Sequence, residues 1–278
     1  MKVSILTENT VYKRGFLAEH GLSLFIESEH GNYLFDTGQS HVFVHNAKKL
    51  QIQLERLDGI ILSHGHYDHC GGMAYYNGLG IDAPVYIQGK SFERKYTENL
   101  KTKEIRYIGV DNEGNWQEIV QLHRLQGGCT QITEGVYLLS EIPYVTEFEP
   151  IPKGFWRDVI QESGSELLAD VMEDEQLLVM ESKQGLCVFA GCAHPGIINC
   201  LHYVKSAFPG MHIHSVVAGM HLKGCRQERL DKTIEALQEL DIDVVLPLHC
   251  TGILAIAAIQ KALGASCMLA EAGKQIEF

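Results

Sequence analysis

Three histidines and an aspartate stand within six residues, in the segment His64-Gly65-His66-Tyr67-Asp68-His69. This segment follows the apolar run 59–62 directly, and a run of that length predicts a short buried strand. The cluster therefore lies on the loop at the carboxyl end of that strand. Imidazole and carboxylate groups are suitable ligands for zinc, iron or manganese. Because ordinary packing does not require this composition, the segment predicts a metal site rather than a solvated loop.

Length and composition fit one large α/β domain. The chain has 278 residues, of which 45% are hydrophobic and 21% are charged. Its formal net charge of −12 argues against a nucleic-acid partner, which would need a basic face. The apolar helix predicted over 253–263 is too short to span a bilayer, so no membrane association is expected. With nucleic acid and membrane excluded, the expected partner is a small-molecule substrate. It can be anionic, because bound metal ions make the electrostatic field at the site positive.

Cysteine usage indicates a reduced compartment. None of the eight cysteines forms a CxxC pair, and Met1 leads straight into the strand-like stretch 3–6 rather than into a secretory signal. We therefore expect a cytoplasmic protein with free thiols. The pattern does not predict an oligomeric state.

Periodicity predicts an alternation of strands and helices. Alternating residues predict an antiparallel hairpin from 22–27 and 33–35, and helical spacing covers 41–57. Later elements are strands at 177–180, 186–190, 215–218 and 244–246, with helices at 197–208, 228–240 and up to about 262. Residues 90–165 are less regular. They contain an aromatic group that predicts either ordinary packing or the wall or lid of a pocket: Tyr144, Phe148, Phe155 and Trp156.

Four predicted strand ends carry candidate site residues, at 64–69, 192–194, 221 and 249. In open α/β sheets, ligands bind at the carboxyl ends of the strands, so these four ends can meet at one site. A single histidine at a strand end would be weak evidence for a metal site. Four sets on separate strands are a strong indication of one shared centre.

These motifs resemble the metallo-β-lactamase superfamily, whose signature HxHxDH follows a strand as it does here. The stretch 34–38, Leu-Phe-Asp-Thr-Gly, is similar to the first motif of that superfamily. EHGLS at 19–23, GCAHPGI at 191–197, GMHL at 219–222 and PLHCTG at 247–252 resemble one subfamily, which includes dihydropterin-ribofuranosylaminobenzene phosphate synthase-like metal hydrolases. The resemblance implies an α/β (α+β) fold, a four-layer αβ/βα sandwich. It implies a single domain over 1–278 with a family-specific insert at about 90–165.

The resemblance also implies most of a ligand set for two divalent ions. His64 and His66 would bind the first ion, Asp68 and His69 the second, and His249 would complete the second site. Zinc is the expected metal, with iron or manganese as alternatives. Asp36 is expected to orient the metal loop through hydrogen bonds rather than to bind metal.

The chain departs from the usual pattern at two ligand positions. Cys192 stands where the bridging aspartate of the family is expected; a thiolate is a good zinc ligand, and a small buried thiol is the alternative. His194 is expected to supply the missing imidazole of the first ion, in preference to Asp170 or Asp174. His20 carries a weaker signal.

A metal-dependent hydrolase is the function that this resemblance implies. Two metals about 3.5–4 Å apart would hold hydroxide at neutral pH, Asp68 would orient this nucleophile, and His221 would protonate the leaving group or hold an anionic oxygen. For His221, a core histidine is the alternative. The expected substrate is small and phosphorylated, with an amide, lactone or thioester second. Other readings are a synthase or transferase acting on a phosphorylated ribosyl compound, a di-iron redox protein, or a non-hydrolytic metal- or ligand-binding protein.

Overall fold

Strands dominate the computed structural model, which describes residues 1–76, 78–110, 121–161 and 164–278. In chain order the described strands are β1 (Lys2–Thr7), β2 (Ser23–Ser28), β3 (Gly31–Phe35), β4 (Gly59–Ile61), β5 (Val85–Gln88), β6 (Arg94–Glu98), β7 (Ile105–Tyr107), β8 (Leu122–Leu125), β9 (Gly128–Thr133), β10 (Val136–Ser140), β11 (Phe155–Gln161), β12 (Gly164–Ala169), β13 (Gln176–Ser182), β14 (Gly185–Ala190), β15 (Ile213–Gly219), β16 (Val244–Leu248) and β17 (Gln275–Glu277). The described α-helices are α1 (Val42–Lys49), α2 (Tyr67–Cys70), α3 (Ile197–Ala207), α4 (Gln227–Glu239) and α5 (Ile253–Leu263).

The strands form three sheets. The first has the order β17-β1-β2-β3-β4-β5-β8, and the second has the order β16-β15-β14-β13-β10-β9. A third, smaller sheet has the order β12-β11-β6-β7. In the first sheet β3, β4, β5 and β8 are parallel, and in the second β14, β15 and β16 are parallel. These parallel strands bring the loops that follow β4, β14, β15 and β16 to one side of the molecule.

Side chains from the central strands are buried on both faces, which explains their nearly continuous apolar runs. In β13, Leu178 packs between the first and second sheets, whereas Leu177 packs on the outer face against the helices. Phe35 and Phe189 meet between the two sheets, with ring centroids 6.3 Å apart. α1 covers the outer face of the first sheet, and α3 to α5 cover that of the second. The predicted four-layer αβ/βα sandwich is therefore confirmed.

Most predicted elements are observed, with one clear error. The hairpin of β2 and β3 pairs antiparallel as expected. The helix predicted over 41–57 is wrong in length, because α1 ends at Lys49 and Gln51 adopts a left-handed φ of 59° that no α-helix continues. Leu54 nevertheless remains buried in the same hydrophobic cluster, in a 3₁₀ turn over Leu54–Arg56. The periodicity therefore predicted the burial of Leu54 correctly but overestimated the length of the helix.

The predicted insert at about 90–165 divides among all three sheets. β6, β7 and β11 belong to the third sheet, whereas β8 extends the first sheet and β9 and β10 extend the second. Residues 111–120 and 162–163 of this stretch lie outside the described residues. Among the helices that the structure does describe, none combines the length and apolarity needed to cross a membrane.

A buried ion triad fixes the third sheet to the sandwich. Lys95 on β6 is 1% exposed, and its Nζ lies 2.7 Å from Asp170 Oδ2 and 3.0 Å from Asp174 Oδ1. Burial alone would lower the pKa of Lys95, but these two carboxylates outweigh it and raise that pKa. Asp174 also accepts a hydrogen bond from the Gly65 amide at 2.8 Å. The triad therefore reaches the histidine loop itself.

We expect Lys95→Met to lower the free energy of unfolding by about 3–5 kcal/mol, because two buried carboxylates lose their counter-charge. Urea denaturation followed by circular dichroism measures this. Lys232→Met is the matched control, since loss of its exposed i,i+4 pair with Glu228 should leave the free energy of unfolding nearly unchanged. Equal losses in the two variants would contradict a stabilising role for the triad.

Candidate metal centre

A cavity of about 320 Å³ lies where β4, β14, β15 and β16 end. All four predicted strand ends contribute to it, and Asn9, His20, Phe155, Lys223 and Cys250 join them. The predicted residues that line it are His66, Asp68, Cys192, His194, His221 and His249. His64 and His69 lie behind this lining and are buried, with exposures of 1% and 0%.

Left-handed residues follow several of the strands around this cavity. Asp36, Ala193, His221 and His249 have φ values of 57°, 48°, 46° and 50°. Such conformations are unfavourable for residues other than glycine, and they persist where the surrounding structure imposes them. They end each strand abruptly, so the next side chains turn into the cavity instead of continuing along the sheet.

Three ring nitrogens converge at one point. His66 Nδ1 lies 2.9 Å from His64 Nε2 and 3.2 Å from His194 Nε2. Two nitrogen ligands of a tetrahedral zinc, each 2.0–2.1 Å from the ion, are separated by about 3.3 Å. The observed spacings are close to this value. These three histidines can therefore hold one ion.

A second group of ligand atoms surrounds Asp68. Its Oδ2 lies 3.3 Å from His249 Nε2, 3.9 Å from His69 Nε2 and 3.3 Å from His20 Nε2. The His20 ring also lies beside that of His249, with ring centroids 4.9 Å apart and the planes tilted by 31°. Sequence reasoning undervalued His20, because its position before a glycine loop gives no strand-end signal.

Cys192 lies between the two groups. Its Sγ is 3.3 Å from His69 Nε2. Its thiol falls within 4.8 Å of the ligand atoms of His64 and His194, and within the same distance of those of His69 and His249. Cys192 is therefore the residue that the two groups have in common.

Asp36 orients two of the histidines. Its Oδ2 accepts a hydrogen bond from His69 Nδ1 at 2.6 Å and another from Ser63 Oγ at 2.7 Å. Ser63 Oγ lies 2.9 Å from His64 Nδ1, which can donate to it. These hydrogen bonds occupy Nδ1 of both His64 and His69. They leave Nε2 of both rings for a cation, as expected for ligand histidines. The predicted orienting role of Asp36 agrees with this geometry.

A buried carboxyl group holds the loop that carries Cys192 and His194. Glu175 accepts backbone N–H bonds from Cys192 at 3.2 Å, Ala193 at 2.6 Å and His194 at 2.9 Å. Burial raises the pKa of Glu175 to about 8. Gly191 precedes this loop because any Cβ there would lie 2.1 Å from Ser63 Oγ. Sequence reasoning missed Glu175, although three consecutive polar residues directly before an apolar strand were a usable signal.

His249 is held from behind by the loop that follows β1. Its backbone N–H donates to Glu8 Oε1 at 3.0 Å, and its Nδ1 lies 3.0 Å from Asn9 Oδ1. If Nδ1 donates this bond, Nε2 is free to face Asp68. His249 Nε2 is buried and has no hydrogen-bond partner among the described residues.

The protonation preferences of the cluster fit a bound cation. Burial lowers the pKa of His64 and His194 well below the ordinary value and lowers that of His66 to about 4, so these rings are neutral ligands at pH 7. Burial opposes the charge on His69 as well, but the Asp36 and Asp68 carboxylates raise its pKa to about 9. Burial raises the pKa of the Cys192 thiol, so a thiolate there needs a nearby cation. The three neutral rings of His64, His66 and His194 therefore suit a metal ion, whereas His69 would have to give up its Nε2 proton to bind one.

The remaining candidate residues divide between the ion triad and the cavity. Asp170 and Asp174, weighed as ligands in place of His194, bind Lys95 instead, because that buried ammonium requires both. His221 lies beside His194, with ring centroids 4.5 Å apart, and faces the cavity. Of the four aromatic residues, Phe155 lines the cavity and stacks on His66 at 5.9 Å.

The remaining aromatic residues of that group lie elsewhere. The hydroxyl of Tyr144 donates to the Val171 carbonyl, and the indole of Trp156 donates to Glu98. Phe148 packs against the outer core of the second sheet.

Comparison with known proteins agrees with this geometry. Residues 18–137 match the family model described as the metallo-beta-lactamase superfamily. The crystal structure of Tm1679, described as a metal-dependent hydrolase of the beta-lactamase superfamily, superposes with a TM-score of 0.85. It is 32% identical and covers 100% of this chain and 99% of its own. The chain belongs to the metallo-beta-lactamase superfamily.

Two relatives from Methanocaldococcus jannaschii extend over nearly the whole of this superfamily member. The uncharacterized protein MJ0448 is 31% identical over 263 residues, which cover 93% of this chain and 94% of the relative. The second is 7,8-dihydropterin-6-methyl-4-(beta-D-ribofuranosyl)-aminobenzene-5'-phosphate synthase, which is 29% identical and covers 100% of this chain and 97% of its own. The expected resemblance to proteins of that synthase group is confirmed.

We expect Asp36→Asn to weaken zinc binding by about 10- to 100-fold, because both carboxylate oxygens accept hydrogen bonds. The Ser63 N–H donates to Oδ1, His69 Nδ1 and Ser63 Oγ donate to Oδ2, and the NH₂ group of Asn must replace one of these two acceptors. Competition with a chromophoric chelator measures the affinity. Asp58→Asn is the control, since its carboxylate binds the Asn32 amide at an exposed hairpin. Unchanged zinc affinity in Asp36→Asn would show that the hydrogen-bonded chain does not prepare the ligands.

Proposed function

We propose that this chain is a metal-dependent hydrolase that uses two divalent ions on a small phosphorylated substrate. The observation that carries the proposal is the pair of ligand groups that share Cys192 in one cavity. Zinc suits the mixture of imidazole, carboxylate and thiolate best.

The two groups divide the ligands between two ions. His64, His66 and His194 would hold the first. Asp68, His69 and His249 would hold the second, with Cys192 between them. When bound, divalent ions supply Lewis acidity and lower the pKa of water toward 7. The chain's own residues position the substrate and move protons.

His221 is placed to act on the leaving group. Its ring faces the cavity, and its buried Nδ1 has no hydrogen-bond partner in the part of the chain that the structure describes. Its backbone is fixed by the N–H that points to Cys250 Sγ at 3.3 Å. The His221 ring, which no hydrogen bond through Nδ1 commits elsewhere, would give a proton to a departing oxygen or hold an anionic one.

Two observations support a phosphorylated substrate. Lys223 lines the cavity and offers a positive charge to an anion in a chain with an overall charge of −12. One relative of similar length carries a 5'-phosphate compound in its name. The cavity volume of about 320 Å³ suits a small molecule or one end of a larger one.

A synthase or transferase reaction on a phosphorylated ribosyl compound is the second candidate. It is favoured by the 29% identity to the synthase across the whole chain. The same ions and the same His221 would serve either reaction, because in both reactions they would stabilise negative charge on a phosphorylated compound.

A substrate panel tests the proposal. Zinc-loaded protein should hydrolyse at least one phosphomonoester or phosphodiester and lose this activity with a chelator. Hydrolysis of lactones or amides alone would contradict the phosphorylated substrate. Two bound metals without any turnover would favour the non-hydrolytic alternative, and condensation products from ribosyl phosphates would favour the synthase.

We expect His221→Asn to lower kcat by about 10²-fold or more for esters with a poor leaving group such as an alkoxide, because the proton donor is lost. Esters of p-nitrophenol should be affected much less, since that leaving group needs little protonation. Elemental analysis should still find the wild-type metal content, which distinguishes His221 from a ligand. His202→Ala, an exposed histidine on α3, is the control. Equal losses for both ester types would contradict the acid role.

A further inference from the structure

A second cavity adjoins the metal centre along α5. It has a volume of about 490 Å³ and shares three lining residues with the first cavity: Asn9, Lys223 and His249. His249, which faces Asp68 on one side, therefore also forms part of the wall of this groove. The two cavities meet at the side chains that bound the candidate metal site.

Apolar side chains dominate this groove. Ile253 and Ile256 of α5 line it, together with Leu269 from the segment that follows the helix. Ile253 is 71% exposed and Leu269 is 43% exposed. Exposed apolar side chains grouped beside a catalytic cavity are typical of a ligand-binding surface.

Lys223 stands at the junction of the two cavities. It is the only Lys or Arg that lines either cavity within the described residues, and it forms no ion pair with them. Its backbone is fixed there, because its N–H donates to the Cys250 carbonyl at 3.2 Å and its Cβ packs closely on Gly252. Two acids, Glu8 and Glu271, also line the groove, and Glu8 is already bonded to Thr10 and to the His249 amide.

We propose that the groove binds the apolar body of an anionic substrate whose reacting group lies at the metal centre, with Lys223 paired to the negative charge between them. This inference rests on the proposed function and adds the substrate class: an amphiphilic phosphate ester with an alkyl or aromatic body. Continuity with the metal cavity favours a substrate over a second protein copy, because an occupant of the groove must lie against Lys223 and His249.

Calorimetry with alkylphosphonates tests this without turnover. For zinc-loaded wild-type protein, hexylphosphonate should bind at least about tenfold more tightly than methylphosphonate, because its chain is buried in the groove. Ile256→Asp should remove this ratio, because a charged side chain cannot bury the alkyl chain, while methylphosphonate still binds. Lys223→Gln should weaken both ligands by about tenfold and keep their ratio.

Leu254→Asp is the matched control, since Leu254 is on the same helix, is 84% exposed and does not line the groove. It should retain the wild-type ratio. A ratio near one in the wild type, or a ratio kept in Ile256→Asp, would overturn the inference while methylphosphonate binding still supports the proposed function. Binding of neither phosphonate would overturn both.

Light scattering tests whether a second copy of this chain, and not a substrate, occupies the groove. A wild-type dimer that Ile256→Asp converts to a monomer would show that a second copy covers the groove, and that result would also overturn the inference.

Discussion

The buried carboxylate of Asp36 is the contact on which the candidate centre depends. Through one oxygen it binds His69 directly and His64 through Ser63, so a single side chain sets both rings. It comes from the left-handed turn at the end of β3, whereas the histidines follow β4. Parallel pairing of these two strands brings the turn and the loop together. The sheet and the ligand geometry are therefore one structural unit.

The second half of the centre comes from the second sheet. Glu175, at the start of β13, binds three successive amides of the loop after β14 and thereby places Cys192 and His194 opposite the histidine loop. The core between the sheets, including Phe35 and Phe189, fixes the distance across this gap. The Cys192 thiol is a softer ligand than the aspartate that the family resemblance led us to expect there, and as a ligand it would favour zinc over harder cations.

Local signals predicted the strands and the histidine cluster because apolar runs and a dense motif are visible within a few residues. The family resemblance then gave the sandwich and the second set of candidates. Contacts between distant segments were not predictable in this way. Lys95 binds Asp170 and Asp174 across 75 or more positions, so the two aspartates looked available as ligands. His20 was undervalued for the same reason, because its partners Asp68 and His249 lie far along the chain. Glu175 was missed although the amides that it binds lie only 17 to 19 positions away.

X-ray absorption spectroscopy at the zinc edge tests the central claim that Cys192 joins the two ligand groups. Protein with two zinc ions per chain should show a sulfur shell at about 2.3 Å beside nitrogen or oxygen at about 2.0–2.1 Å. The sulfur shell should disappear in Cys192→Ser and remain in Cys225→Ser, a thiol that packs against the helical core. A wild-type spectrum with only nitrogen and oxygen neighbours would contradict the account.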